Sequence, residues 1–170
     1  MKVKFIVFFL FFLLVQSKVF SCSFREKDTA NYTLLNQKGK KVKLSDFKGK
    51  VVYVDFWASW CGGCKEIMKL SKELHDRFSK AQRQKIVFVY ISIDNDSLAW
   101  QKAIEQIGTG GVNLISPAKL PNAAGTYFNV TGLPRYMTID KSGKIVAFIA
   151  KSPQQEGVYE DLLQLIEQKD

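Results

Sequence analysis

Val51 to Trp57 is an almost unbroken apolar run, and after Ala58-Ser59-Trp60 the chain reads Cys61-Gly62-Gly63-Cys64. A run of seven residues rich in valine and aromatics reads as a strand buried on both faces, which requires a sheet covered by helices. Ile67, Leu70, Leu74 and Phe78 then recur at three- and four-residue steps, predicting a helix from about Cys61 to Lys80 with one apolar face. The two cysteines therefore fall on the first turn of a helix fed by a central strand. Residues i and i+3 there have Cα atoms about 5 to 5.5 Å apart, within disulfide range.

The remaining pattern fits around this unit. Tyr32–Leu35 and Val42–Leu44 flank Asn36-Gln37-Lys38-Gly39-Lys40 as a hairpin, and Ser45–Gly49 reads as a one-turn element. Ile86–Ile93 is a second buried strand. Asp94-Asn95-Asp96-Ser97 offers cap chemistry for a helix from Ser97 to Ile107, which Gly108 stops. Val112–Ser116 is a strand candidate and Asn122–Phe128 a short helix. Arg135–Asp140 and Ile145–Lys151 pair through the turn Lys141–Lys144, and a last amphipathic helix runs from about Gln154 to Gln168. The order ββ, βαβα, a middle segment, ββα predicts one α/β sandwich with a mixed central sheet.

The first 21 residues read as an address. Lys2 and Lys4 precede an eleven-residue apolar run, Phe5 to Val15, too short to span a bilayer core and of the length of an export signal's apolar region. Val19-Phe20-Ser21-Cys22 resembles a lipoprotein cleavage box, although Phe20 is bulkier than is usual there. Cys22 is read as lipid acceptor, spare thiol of a mature N-terminus, or part of a retained anchor, the first being favoured; each fits an oxidising, extracytoplasmic setting in a periplasm or outside a cytoplasmic membrane. Residues 22–31 form a polar tether, and 149 residues from Cys22 onward suffice for a self-standing core. Loss of Lys2, Lys4 and Lys18 takes the formal net charge from +9 to +6. The basic stretches Lys38–Lys50 and Arg77–Lys85 read as solvated surface, the sharper alternative being attraction to anionic lipid or an acidic partner. Without a recognisable nucleic-acid module, no nucleic-acid partner is expected.

Three readings compete for Cys61 and Cys64. A stapling disulfide over so short a loop removes only about 2 kcal/mol of chain entropy, against roughly 4.7 kcal/mol for a 100-residue loop. Half of a zinc site needs two further ligands, and the chain after the leader offers only His75 and Cys22. A redox dithiol needs neither: unpaired N–H groups and the positive helix end stabilise a Cys61 thiolate, the attacking species in thiol–disulfide exchange. Gly62 and Gly63 leave room for a partner backbone. Asp55 interrupts the apolar strand. Burial there raises a carboxyl pKa, so Asp55 is the candidate acid–base group beside the dithiol, the alternative being an aspartate facing solvent at a strand end.

VDFWASWCGGCKEIM resembles the active-site segment of the thioredoxin superfamily, and LLNQKGKKVKLSDFKGKVVYVDFWASWCGGC resembles its TlpA/ResA-type branch of exported, membrane-tethered thiol–disulfide oxidoreductases. Val130–Pro134 with Tyr136–Asp140 is similar to that family's cis-proline loop and following strand. The resemblance covers about residues 32 to 168. It implies a thioredoxin-like three-layer α/β sandwich over 32–170, with an N-terminal β-hairpin extension. Cys61 would be nucleophile, Cys64 resolving thiol and Pro134 the cis-proline. Leu133 would pair with substrate backbone, Trp60, Gly62 and Gly63 would border it, and Trp57 would pack beneath. No cofactor beyond the Cys61–Cys64 disulfide and no metal is implied. The partners implied are disulfide-containing exported proteins, a membrane-side electron donor and the membrane itself, for a monomer. The family's roles include reduction of apocytochrome c thiols and general upkeep of exported protein thiols. Gly63 stands where many relatives have proline, Asp55 follows the thioredoxin pattern where many TlpA-like proteins have asparagine, and Arg135 is a charge beside the proline that bears on substrate choice. The alternatives are a thiol peroxidase, a Sco-type copper chaperone, which uses CxxxC with a distal histidine, and a peptide-binding module without turnover.

Overall fold

The computed structural model describes residues 32–117 and 123–168. The leader, Cys22 and the tether lie outside the described residues, and among the described residues no helix is long and apolar enough to cross a membrane.

Among the described residues seven strands form one sheet: β1 (Thr33–Asn36), β2 (Lys41–Lys43), β3 (Val51–Trp57), β4 (Ile86–Ser92), β5 (Val112–Ile115), β6 (Arg135–Ile139) and β7 (Ile145–Ala147), in the order β2-β1-β5-β4-β3-β6-β7. β3, β4 and β5 are parallel, while β1, β2, β6 and β7 add antiparallel edges. The sheet is therefore mixed, as the element order predicts, and the N-terminal hairpin is built into it through β1 and β5.

All seven residues of β3 are buried, which accounts for its continuous apolar composition. Val51, Tyr53 and Trp57 face α1 (Gly62–Asp76), α3 (Ser97–Ile107) and α5 (Val158–Glu167), whose buried residues join theirs in one core. Val52, Val54 and Phe56 face the other way, against the β1 hairpin, Leu44 and the single-turn α4 (Ala124–Tyr127). The crossovers β3-α1-β4 and β4-α3-β5 step across the sheet in one direction. With the usual common hand, they put both helices on the same face.

The helix Ser97–Ile107 matches its sequence signals: Asp96 Oδ1 accepts the Leu98 and Ala99 N–H groups, and Gly108 (φ +65°) takes the left-handed position that ends it. Three other boundaries differ from expectation. The helix predicted to reach Lys80 ends at Asp76, because Phe78 N–H turns back to His75 O and Ser79 starts a separate turn, α2 (Lys80–Arg83), through reciprocal Ser79–Gln82 capping bonds. Phe78 is still buried, but from that turn and against Tyr159, while the buried face of α1 is Cys64, Met68, Ser71 and Leu74. β7 ends at Ala147 rather than Lys151, after an irregularity in its register with β6. The last helix begins at Val158 rather than Gln154, because Ser152–Gln155 closes as a turn and Gly157 (φ +80°) precedes the first helical residue.

Candidate active site

Ala58 to Cys61 links the carboxyl end of β3 to α1. Cys61 is the N-cap of α1, and Cys61 and Cys64 are joined, with S–S 2.05 Å and Cα–Cα 5.3 Å. Cys61 Sγ accepts the Cys64 N–H at 3.2 Å, so one of the helix's unpaired donors already points at the sulfur that would carry charge as a thiolate. Cys61 is half-buried and Cys64 fully buried, so only the first sulfur is accessible from outside the core. Gly62 and Gly63 are exposed with no heavy atom within 4 Å of where a Cβ would stand, so the helix start is open to a partner's backbone.

Asp55 lies inward, not toward solvent. It is 1% exposed, and neither carboxyl oxygen has a hydrogen-bond partner. By strand alternation it shares the α1 face with Tyr53 and Trp57, and Cys64 packs in that same core. In register it stands between Tyr90 of β4 and Tyr136 of β6. Burial holds its carboxyl well above the ordinary range. Burial first, and the nearby Asp55 carboxyl second, push the phenols of Tyr53, Tyr90 and Tyr136 above the ordinary tyrosine range.

A groove of about 390 Å³ opens beside the disulfide, lined by Trp60, Cys61, Ile93 and Val130–Leu133. Trp60 is 69% exposed on its rim, Trp57 is fully buried in the core that holds Cys64, and the Leu133–Pro134 peptide bond is cis. The fold thus brings Cys61, Trp60 and Leu133 around one groove, with Cys64 and Asp55 on the core side.

Two features escape the sequence. Asp94, 2% exposed, is not the cap of α3. Its Oδ2 accepts Ser59 N–H (2.8 Å) and Ser92 Oγ–H (2.6 Å), and its Oδ1 accepts Ser59 Oγ–H (2.8 Å), so it anchors the loop that delivers Trp60 and Cys61. A cluster of four small polar residues signals capping, and nothing in it separates Asp94 from Asp96. Arg135 does not offer its charge to the groove: its guanidinium donates to the carbonyls of Phe128, Asn129 and Phe148.

The description "thioredoxin-like" fits residues 49–145 as a family match. The chain is 29% identical over 130 residues to the thiol-disulfide oxidoreductase ResA of Bacillus anthracis, covering 76% of this chain and 72% of that protein. It is 26% identical over 139 residues to ResA of Bacillus subtilis, covering 82% and 74%. Among solved structures it is similar to the thioredoxin domain of a thiol-disulfide oxidoreductase from Bacteroides vulgatus (TM-score 0.68, 25% identity, 80% of this chain and 93% of that one). A thiol-disulfide oxidoreductase from Bacteroides fragilis is similar as well (TM-score 0.66, 25% identity, 80% and 96%).

Proposed function

This chain belongs to the thioredoxin-like family, and from that premise we propose that it is a thiol–disulfide oxidoreductase that reduces protein disulfides through Cys61 and Cys64. One observation carries the reading: the cysteine pair sits at the N-cap of α1, with the first sulfur on an open groove and the second buried on the face that holds Asp55.

In the reduced protein the Cys61 thiolate attacks one sulfur of a substrate disulfide. A bond forms to Cys61 Sγ, the substrate S–S bond breaks, and the first substrate thiolate leaves and takes up a proton. Asp55, its pKa raised by burial, accepts the Cys64 proton when it is in its ionised form. Cys64 then attacks Cys61 Sγ, the second substrate thiolate departs protonated, and the Cys61–Cys64 disulfide holds the oxidising equivalent. Two electrons have passed from the dithiol to the substrate, and an external dithiol donor restores the enzyme. Substrate backbone pairs at Leu133 beside Pro134, while Trp60, Gly62 and Gly63 border it.

The leader and Cys22 support an exported, membrane-tethered enzyme that reduces disulfides of exported proteins, apocytochrome c among its candidate substrates. The rival readings fit the geometry less well. His75 stands fourteen residues along from Cys61, about 20 Å away on a helical rise, too far to share a metal with the cysteines. Arg135 is committed to carbonyls rather than to a peroxidatic sulfur. Insulin reduction tests the proposal: wild type precipitates the freed B chain, Cys61→Ser does not, and activity retained in Cys61→Ser overturns it.

A further inference from the structure

The groove's lip, Val130 to Leu133, is carried on a loop whose base is closed by its own last residue. α4 is a single turn, so the carbonyls of Phe128 and Asn129 at its end have no helical donor. Asn129 holds a left-handed backbone (φ +48°) that turns the chain from α4 into the lip. Seven and six residues on, the Arg135 guanidinium reaches back: Nη1 donates to Phe128 O at 2.7 Å and to Asn129 O at 3.0 Å. Nη2 donates to the carbonyl of Phe148, just past β7. The guanidinium also lies over the Phe148 ring, 4.2 Å from its centroid, and 5.7 Å from that of Phe56.

We infer that Arg135 is a positioning residue for the reaction proposed above: it cinches the 129–135 loop at its base and so pre-forms the Val130–Leu133 lip against which a protein substrate lies. The inference rests on the oxidoreductase reading. Three acceptors on two separate segments, met by one planar fork and a ring face, demand arginine, because a lysine ammonium has neither the spread nor the plane. A lip already fixed need not be ordered when substrate binds, and that cost otherwise appears as weakened binding. The thiol chemistry is at Cys61 and does not pass through Arg135. A substrate too small to lie along the lip is therefore indifferent to the clamp.

The test compares full-length wild type with Arg135→Lys and Arg135→Gln on two disulfides, insulin and 2-hydroxyethyl disulfide. The expected result is a KM for insulin raised at least five-fold in both variants, with kcat and the rate on the small disulfide within two-fold of wild type. A folded variant whose insulin KM stays within two-fold overturns the inference. Equal losses on both disulfides also overturn it, since they place the effect on the dithiol itself. Should neither arginine variant fold, Phe148→Leu removes the ring face against the guanidinium and keeps all three carbonyl acceptors, so it weakens the clamp alone. A raised insulin KM with an unchanged small-disulfide rate then supports the inference, and an unchanged KM refutes it. A wild-type chain that reduces neither disulfide removes the oxidoreductase reading and this inference with it, a failure distinct from normal wild-type turnover with indifferent variants.

Discussion

Replacing Asp55 by asparagine should stabilise the oxidised protein while slowing its turnover, and the stabilisation should grow with pH. Asp55 is enclosed between Tyr90 and Tyr136, with both carboxyl oxygens unpartnered, and burial raises its pKa well above the ordinary carboxylate range. In the unfolded chain it ionises near pH 3.9. Below that pH both states hold the proton and the site contributes nothing. Above it the unfolded chain releases the proton and the folded one keeps it, so stability falls as pH rises until the folded midpoint is passed, after which the loss is constant. The slope for one proton is about 1.4 kcal/mol per pH unit, or about 2.7 kcal/mol over two units. Asparagine has nearly the same shape and does not titrate, and every other ionisable group is common to both proteins and cancels in the difference. Urea denaturation of the oxidised forms at pH 4, 5, 6 and 7, followed by tryptophan fluorescence, should give nearly equal stabilities at pH 4 and a widening advantage for Asp55→Asn above it. A difference that stays flat with pH would refute the reasoning, because Asp55 ionisation would then be uncoupled from folding. On the proposed mechanism, in which Asp55 takes the Cys64 proton, the same substitution should slow release of reduced substrate more than the first attack, and equal slowing of both steps would leave Asp55 a structural residue.

Cys64→Ser should leave Cys61 able to attack but not to be released, so mixed disulfides should accumulate and be visible on non-reducing gels; failure to recover any adduct would remove Cys64 from the resolving role. Asp94→Ala orphans the Ser59 N–H and two serine hydroxyls, and should cost about 2–4 kcal/mol in urea denaturation; a loss under about 1 kcal/mol would show that the network does not anchor the loop. Gly111→Ala places a Cβ 2.4 Å from Phe88 O and 2.8 Å from the Tyr90 ring, so β4 and β5 must part at that end. About 1–3 kcal/mol of stability should be lost, and an unchanged thermal midpoint would contradict the close approach.

Elements defined by neighbours in the chain were legible. β3 declares itself through seven consecutive buried residues, and α3 through Asp96 at one end and Gly108 at the other, because burial on both faces and capping are local conditions. The cysteine pair was legible for the same reason: its spacing and its place between strand and helix suffice. Where expectations failed, a competing local bond or a distant partner intervened. The apolar period runs through Phe78, but the Ser79–Gln82 capping box ends α1 and starts a new turn. Apolar residues continue past Ala147, but the carbonyl of Phe148 goes to Arg135.

By itself, then, the sequence determined that a cysteine pair stands at a strand–helix junction and that one aspartate falls within the apolar strand before it, since both follow from periodicity and spacing over fewer than thirty residues. Only the tertiary structure decided what surrounds them. Asp55 lies between Tyr90 and Tyr136 because of strand register, Trp60 and Cys61 meet Leu133 across a groove, and Asp94 holds the approach to Cys61. Arg135 turns its charge inward because three carbonyls from segments up to thirteen residues away converge on one point. Such convergence depends on how the sheet and helices pack, and no local pattern of residues encodes it.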